Sequence, residues 1–338
     1  MRVDIHSHLV PRCFWEGVAT RGHWYGATVE RAPDGEFVRA HQRRAGPVTP
    51  AWRATPEERI REMDALGVDV HVLSTAPFFF NYHLEPAEAL QASRELNDEI
   101  AAIVRAHPAR FAGLATVPLQ DAGAAAEELA RAMEQGLKGA EVCTHVNGRN
   151  YDDPAFRPFF AAAERLGAFL FFHPHSPTAA DRLGRYYLGN LIGNPLETTI
   201  TIASLVFGGV LDRYPGLKLC FAHGGGYACY GIGRMDHGYA VRPEPRAELQ
   251  RPPGEYLRRC TYDCIVHSHR ALHFLLDTVG PESVLLGSDY PFDMGYADPV
   301  GWLLEVPGLS EGVRAQVLGG NAARLLGLGE GVPPPRGG

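Results

Sequence analysis

A short apolar run followed by a helical pattern recurs eight times along this chain, and no other feature constrains its fold as tightly. Strands are expected over 3–8, 68–75, 111–117, 137–144, 169–172, 217–222, 260–266 and 283–287. Helical periodicity fills the intervals, as over 86–107, 122–135, 154–166, 194–214, 268–279 and 310–326, the last broken at Asn321-Ala322. The run Phe169-Leu170-Phe171-Phe172 is apolar on both faces, the pattern of a strand buried in a parallel sheet. Eight parallel strands with crossover helices close into a (β/α)8 barrel, an α/β fold whose sites lie at the C-terminal strand ends. The competing open, doubly wound sheet would carry a glycine-rich phosphate turn after its first strand, and the sequence there has none.

One excursion interrupts the alternation. Residues 9–54 are rich in Gly, Arg, His and Trp and carry no sustained period; an excursion this long is usually functional, here an insertion or lid over the site. Helical patterning resumes at Thr55, an N-cap with Pro56 as first helical residue and Glu58 as capping-box partner, and stops at Gly67. The 338 residues thus read as a single barrel over 1–328 followed by a Gly/Pro-rich tail over 329–338.

A net charge of −7 offers no basic footprint for nucleic acid or an anionic membrane, so any positive charge that holds substrate must be local. The six cysteines form no CxxC pair, and Cys143, Cys220 and Cys264 sit inside apolar runs as buried thiols do. With no charged-then-apolar leader and no apolar run of about 20 residues, a reduced cytoplasmic enzyme is expected.

The strand ends carry the chemistry. The first ends in Asp4-Ile5-His6-Ser7-His8, where strand periodicity puts both imidazoles on one side. The fifth ends in His173-Pro174-His175, the sixth in His223-Gly224-Gly225-Gly226 and the eighth in Gly287-Ser288-Asp289-Tyr290-Pro291. Any one of these histidines could be a loop or core residue; three imidazoles and a carboxylate at converging strand ends point to a metal centre.

These motifs, with Phe172-His173-Pro174 and Phe221-Ala222-His223, resemble the amidohydrolase superfamily, and within it the branch containing 2-amino-3-carboxymuconate-6-semialdehyde decarboxylase. The likeness runs from His6 to Asn321 and is weakest over 9–54. It implies that His6, His8, His173 and Asp289 hold one divalent metal, zinc being usual in the branch and manganese or iron compatible with the same ligands. It implies that His223 is a catalytic histidine beside the metal, and that Arg234 reaches across a homodimer interface to a substrate carboxylate. Arg43 and Arg44 are the nearest candidates for a second such arginine. No lysine stands by Glu141 at the fourth strand end, Lys138 falling at the strand's start, which argues for one metal rather than two.

Around this centre His175 could contact substrate or be a loop histidine, and His71 is expected to pack in the core. His267 and His269 are expected at the surface. Phe78, Phe79, Phe80, Trp15, Trp24 and Phe292 could wall a pocket for a flat acid, or simply pack. The first functional expectation is a metal-dependent decarboxylase of a small unsaturated or aromatic carboxylic acid. The second is a hydrolase or hydratase with the same ligands, and the third a non-catalytic metal-binding barrel, which the open coordination position beside His223 disfavours.

Overall fold

The computed structural model describes residues 1–41 and 43–329. The strands, in chain order, are β1 (Val3–Leu9), β2 (Thr28–Ala32), β3 (Gly35–Ala40), β4 (Arg43–Ala45), β5 (Val70–Thr75), β6 (Phe111–Gly113), β7 (Gly139–Cys143), β8 (Phe169–His173), β9 (Lys218–Phe221), β10 (Thr261–Asp263) and β11 (Val284–Leu285). β1, β5 and β6 pair in parallel, as do β7 to β11 in sequence order. Backbone bonds close the two seams: Ala115 and Glu141 join β6 to β7, and Ile5, His8 and Asp289 join β1 to the segment after β11. The result is the expected (β/α)8 barrel.

β8 is buried along its whole length because alternate residues face two cores. Phe169 and Phe171 pack inside the barrel with Val3, Ile5, Val70, Val72, Cys220 and Leu285. Leu170 and Phe172 pack outward against the helices. Five of the six cysteines are buried free thiols, Cys143, Cys220 and Cys264 among them. Among the described residues no helix is long and apolar enough to cross a membrane.

Most boundaries fall where the sequence sets them. The Thr55 hydroxyl accepts from Glu58 N–H at 3.2 Å while the Glu58 carboxylate accepts from Thr55 N–H at 2.8 Å, and helix Pro56–Leu66 ends at Gly67 in the left-handed conformation. Two helices are shorter than expected. The one over 194–214 divides into Asn194–Phe207 and Val210–Arg213, because Gly209 adopts φ +66 between them. The closing helices part over Gln316–Gly320, ahead of Asn321, where a wider turn interrupts the helix. The tail beyond Gly329 lies outside the described residues.

Residues 9–54 hold more order than their sequence suggests: helix Arg12–Arg21, an antiparallel ribbon of β2, β3 and β4, and a short turn at Pro50–Arg53. The ribbon is two-sided and half-exposed, held by cross-strand pairs of Glu30 with Arg39 and Arg44 and of Glu36 with Arg31, so no apolar alternation marks it. Val10, Phe14, Trp24, Val38 and Trp52 form its own small core, seated on Phe78, Phe79 and Leu96 of the barrel.

Candidate metal centre

β1 turns its two imidazoles inward by way of an irregularity. Its pairing with β5 shifts between Asp4 and Ser7, and such a shift re-aims side chains. Val3 and Ile5 thus join Phe169 and Phe171 inside the barrel, while His6 also packs edge-on against Phe171, with 4.8 Å between ring centres. His6 and His8 share a side as expected, their rings 4.9 Å apart.

One ligand atom from each of His6, His8, His173 and Asp289 lies within 4.8 Å of the others, and all four residues are buried. His6 Nε2 and His8 Nε2 are 3.0 Å apart, and Asp289 Oδ1 stands 3.3 Å from the first and 3.1 Å from the second. The opposite ring nitrogens are engaged elsewhere: His6 Nδ1 donates to Asp263 Oδ2 at 2.7 Å, and His8 Nδ1 to the Thr75 carbonyl at 3.3 Å. That pattern would leave both Nε2 atoms to offer a lone pair to a bound ion, with Asp289 Oδ1 beside them. His173 is buried with neither ring nitrogen hydrogen-bonded to any described residue. The separations of 3.0 to 3.3 Å among His6, His8 and Asp289 are what bonds of about 2.1 Å to one cation impose on neighbouring ligands, and N/O donors of this kind suit zinc and its divalent neighbours. The residues present fit a single divalent ion.

Burial sets the electrostatics. It holds His173 well below the usual imidazole range and brings His8 down to about 4. It acts on His6 too, but the Asp289 and Asp263 carboxylates outweigh it and push His6 up to about 10. Burial would raise Asp289, yet the His6 charge and imidazole hydrogen bonds keep it well below the carboxylate range.

His223 follows β9 at the edge of the cluster. Its ring centre is 5.2 Å from that of His173, its Nε2 lies 3.5 Å from Asp289 Oδ2, and its side chain is 19% exposed. Phe292 is half-buried with its ring 5.2 Å from His8. His175, two residues past His173, has Arg43, His41, His83 and His145 as its charged or titratable neighbours. Arg44 is paired with Glu30 and stacked on Phe37, whereas Arg43 is half-buried beside His175. Arg234 is exposed on helix Ala228–Val241 and pairs with no carboxylate among the described residues. Trp24 is no pocket wall: it is fully buried in the insertion core and donates to Glu95. His71 is buried, its Nε2 3.4 Å from Asp4, and His267 is exposed.

Other residues of the site carried no sequence signal that singled them out. Asp263 orients His6 from the end of β10. Glu141 on β7 is fully buried, both oxygens without a hydrogen-bond partner among the described residues and Oε1 3.7 Å from His8 Nδ1. Arg59 donates to the His8 carbonyl at 2.6 Å and stacks over Tyr290. Trp52 of the insertion meets Phe292.

Comparison with known proteins agrees with this geometry. The amidohydrolase family model matches residues 3–328. A 2-amino-3-carboxymuconate-6-semialdehyde decarboxylase from Dictyostelium discoideum is 38% identical over 97% of this chain and 92% of its own. The crystal structure of 5-carboxyvanillate decarboxylase from Sphingomonas paucimobilis superposes with a TM-score of 0.82 at 28% identity, covering 96% of this chain and 98% of that one. A dihydroxybenzoic acid decarboxylase from Polaromonas sp. JS666, crystallised with manganese and 2-nitroresorcinol, matches at TM-score 0.79 and 24% identity over 97% of both chains, a likeness of fold. With a barrel closed around a His/Asp cluster and a family match along nearly its whole length, this chain belongs to the amidohydrolase family.

Proposed function

We infer that the protein is a metal-dependent, non-oxidative decarboxylase of a small unsaturated or aromatic carboxylic acid. The observation that carries this reading is the convergence of three buried imidazoles and one carboxylate, with His223 beside them, in a chain related over its length to decarboxylases. His6, His8, His173 and Asp289 would hold the ion, zinc being the first choice and manganese or iron compatible with the same donors. Bound there, a divalent ion supplies Lewis-acid polarisation of a substrate oxygen.

The chain's own residues do the rest. When the carbon–carbon bond breaks, carbon dioxide leaves and the electron pair stays on the ring or chain carbon, which must then take a proton. His223, partly exposed and within 3.5 Å of Asp289, is positioned to deliver it. Phe292 and Trp52 form an aromatic wall beside His8, suited to a flat acid, and residues 9–54 cover the strand ends as a lid that limits water. Of the two candidate arginines Arg43 and Arg44, Arg43 is the one to meet a substrate carboxylate, since it pairs with no carboxylate among the described residues while Arg44 is engaged by Glu30.

The second carboxylate contact is Arg234 of a partner copy. It shares a helix face with exposed Tyr230 and Val241, and Tyr230 adjoins exposed Phe274, an apolar patch of the kind buried in a homodimer. Six free cysteines accord with a reducing, cytoplasmic setting.

A hydrolase or hydratase would use the same ligands, but the two curated relatives matched over more than nine-tenths of their own length are named decarboxylases. Carbon dioxide measured over a panel of carboxylated muconates and hydroxybenzoates tests the assignment. Evolution of carbon dioxide in step with the shortened product is expected; a hydrated or hydrolysed product without it would overturn the reading.

A further inference from the structure

Asp263 is fully buried at the end of β10, and its contacts divide between the two halves of the site. Oδ2 accepts from His6 Nδ1 at 2.7 Å and from the backbone N–H of His223 at 2.9 Å. Oδ1 accepts from the backbone N–H of Gly224 at 2.9 Å and of Ile265 at 3.1 Å. The bond to His6 keeps a proton on Nδ1, so that Nε2 is the nitrogen left to offer a lone pair to an ion. The bonds to His223 and Gly224 hold a turn that a side chain resists. His223 is at φ +55 and Gly224 at φ +61, in the left-handed region that disfavours a Cβ. A Cβ on Gly224 would come within 2.5 Å of Val266, so the turn has little room to relax. This turn is what aims the His223 ring at Asp289.

We propose that Asp263 is a positioning residue that couples metal binding to the placement of His223, a single buried carboxylate setting both a ligand's tautomer and the turn that presents the proton carrier. The proposal rests on the reading of the cluster as a metal centre. Both oxygens are needed. Asp263→Asn preserves shape but replaces one acceptor by an NH2 group, so whichever way the amide turns, donors face donors. On the Oδ2 side the NH2 would force His6 into the wrong tautomer for the ion and strip His223 N–H of its acceptor. On the Oδ1 side it would meet two backbone donors, the N–H groups of Gly224 and Ile265, against one on the Oδ2 side, so the amide settles with its NH2 toward His6 and His223 and both effects appear together.

The test titrates metal-free wild type and Asp263→Asn with Mn2+ and with Zn2+, then measures kcat at saturating metal. Asp263→Asn should bind either ion about 10- to 100-fold more weakly and, when saturated, should turn over about tenfold or more slowly. Asp263→Asn with a lowered melting temperature but unchanged affinity and kcat, or with only one of the two altered, overturns the coupling. If Asp263→Asn does not fold, imidazole 15N NMR of the Zn2+-loaded wild type decides: His6 protonated on Nδ1 supports the proposal, and His6 protonated on Nε2 overturns it. Wild type that binds no metal removes the metal-centre reading itself, a result distinct from failure of Asp263→Asn to differ from it.

Discussion

Trp52 meets Phe292 edge to face at 5.3 Å between ring centres, joining the insertion to the loop that follows Asp289. Phe292 in turn lies 5.2 Å from His8, and Trp52 stacks on Phe78 at 5.6 Å. One ring, that of Phe292, thus lies between the insertion and His8.

Trp52→Ala should therefore weaken substrate binding more than chemistry. Loss of an aromatic wall contact worth about 0.5–1.5 kcal/mol, with its buried area, should raise KM roughly tenfold while kcat changes less and the circular dichroism spectrum stays as in wild type. An unaltered KM would remove the insertion from contact with substrate.

His223→Ala should keep its metal and its fold yet lose at least about 100-fold in turnover, the usual scale for a group that transfers a proton. His223 touches Asp289 only through Oδ2 at 3.5 Å, while Oδ1 faces His6 and His8. Full activity of His223→Ala would show that the proton comes from elsewhere.

Glu141 gives the metal-free protein a specific pH dependence. Burial pushes its carboxyl from the ordinary 4.5 up to about 8. A folded pKa above the unfolded one stabilises the fold fully below the lower value and loses that contribution as pH rises through the higher. The melting temperature of chelated wild type should thus fall between about pH 4.5 and about pH 8, and Glu141→Gln should flatten that fall. Equal slopes in the two proteins would count against a neutral buried Glu141.

The apolar face around Tyr230, which is 84% exposed, should hold two copies together. Sedimentation should give a dimer for wild type and a monomer for Tyr230→Asp. Arg234→Ala should remain dimeric and raise KM, the change expected when a carboxylate contact is lost. A monomeric wild type at micromolar concentration would exclude a partner-supplied Arg234.

The barrel and the gathering of the His/Asp cluster were legible because they depend on local patterns. Phe169-Leu170-Phe171-Phe172 reads as a two-faced buried strand and is one, and His6, His8, His173, His223 and Asp289 stand at strand ends where topology makes them meet. Asp263, Glu141 and Arg59 were not legible, since each matters through contacts with residues more than 40 positions away, apart from the nearest of Asp263's own. The ribbon of β2 to β4 hid for another reason: its strands bury neither face fully, although Pro33-Asp34-Gly35 is a turn signal joining β2 to β3. Trp24 takes the packing alternative, its large ring serving the insertion's own core with Phe14 and Phe79.

The central claim is that His6, His8, His173 and Asp289 gather around one catalytic cation, and metal content measured alongside carbon dioxide release tests it most directly. One divalent ion per chain should be found in wild type. Chelation should abolish carbon dioxide release and metal addition restore it, and Asp289→Ala should hold markedly less metal. Undiminished release from fully chelated wild type, or unchanged metal content in Asp289→Ala, would contradict the account.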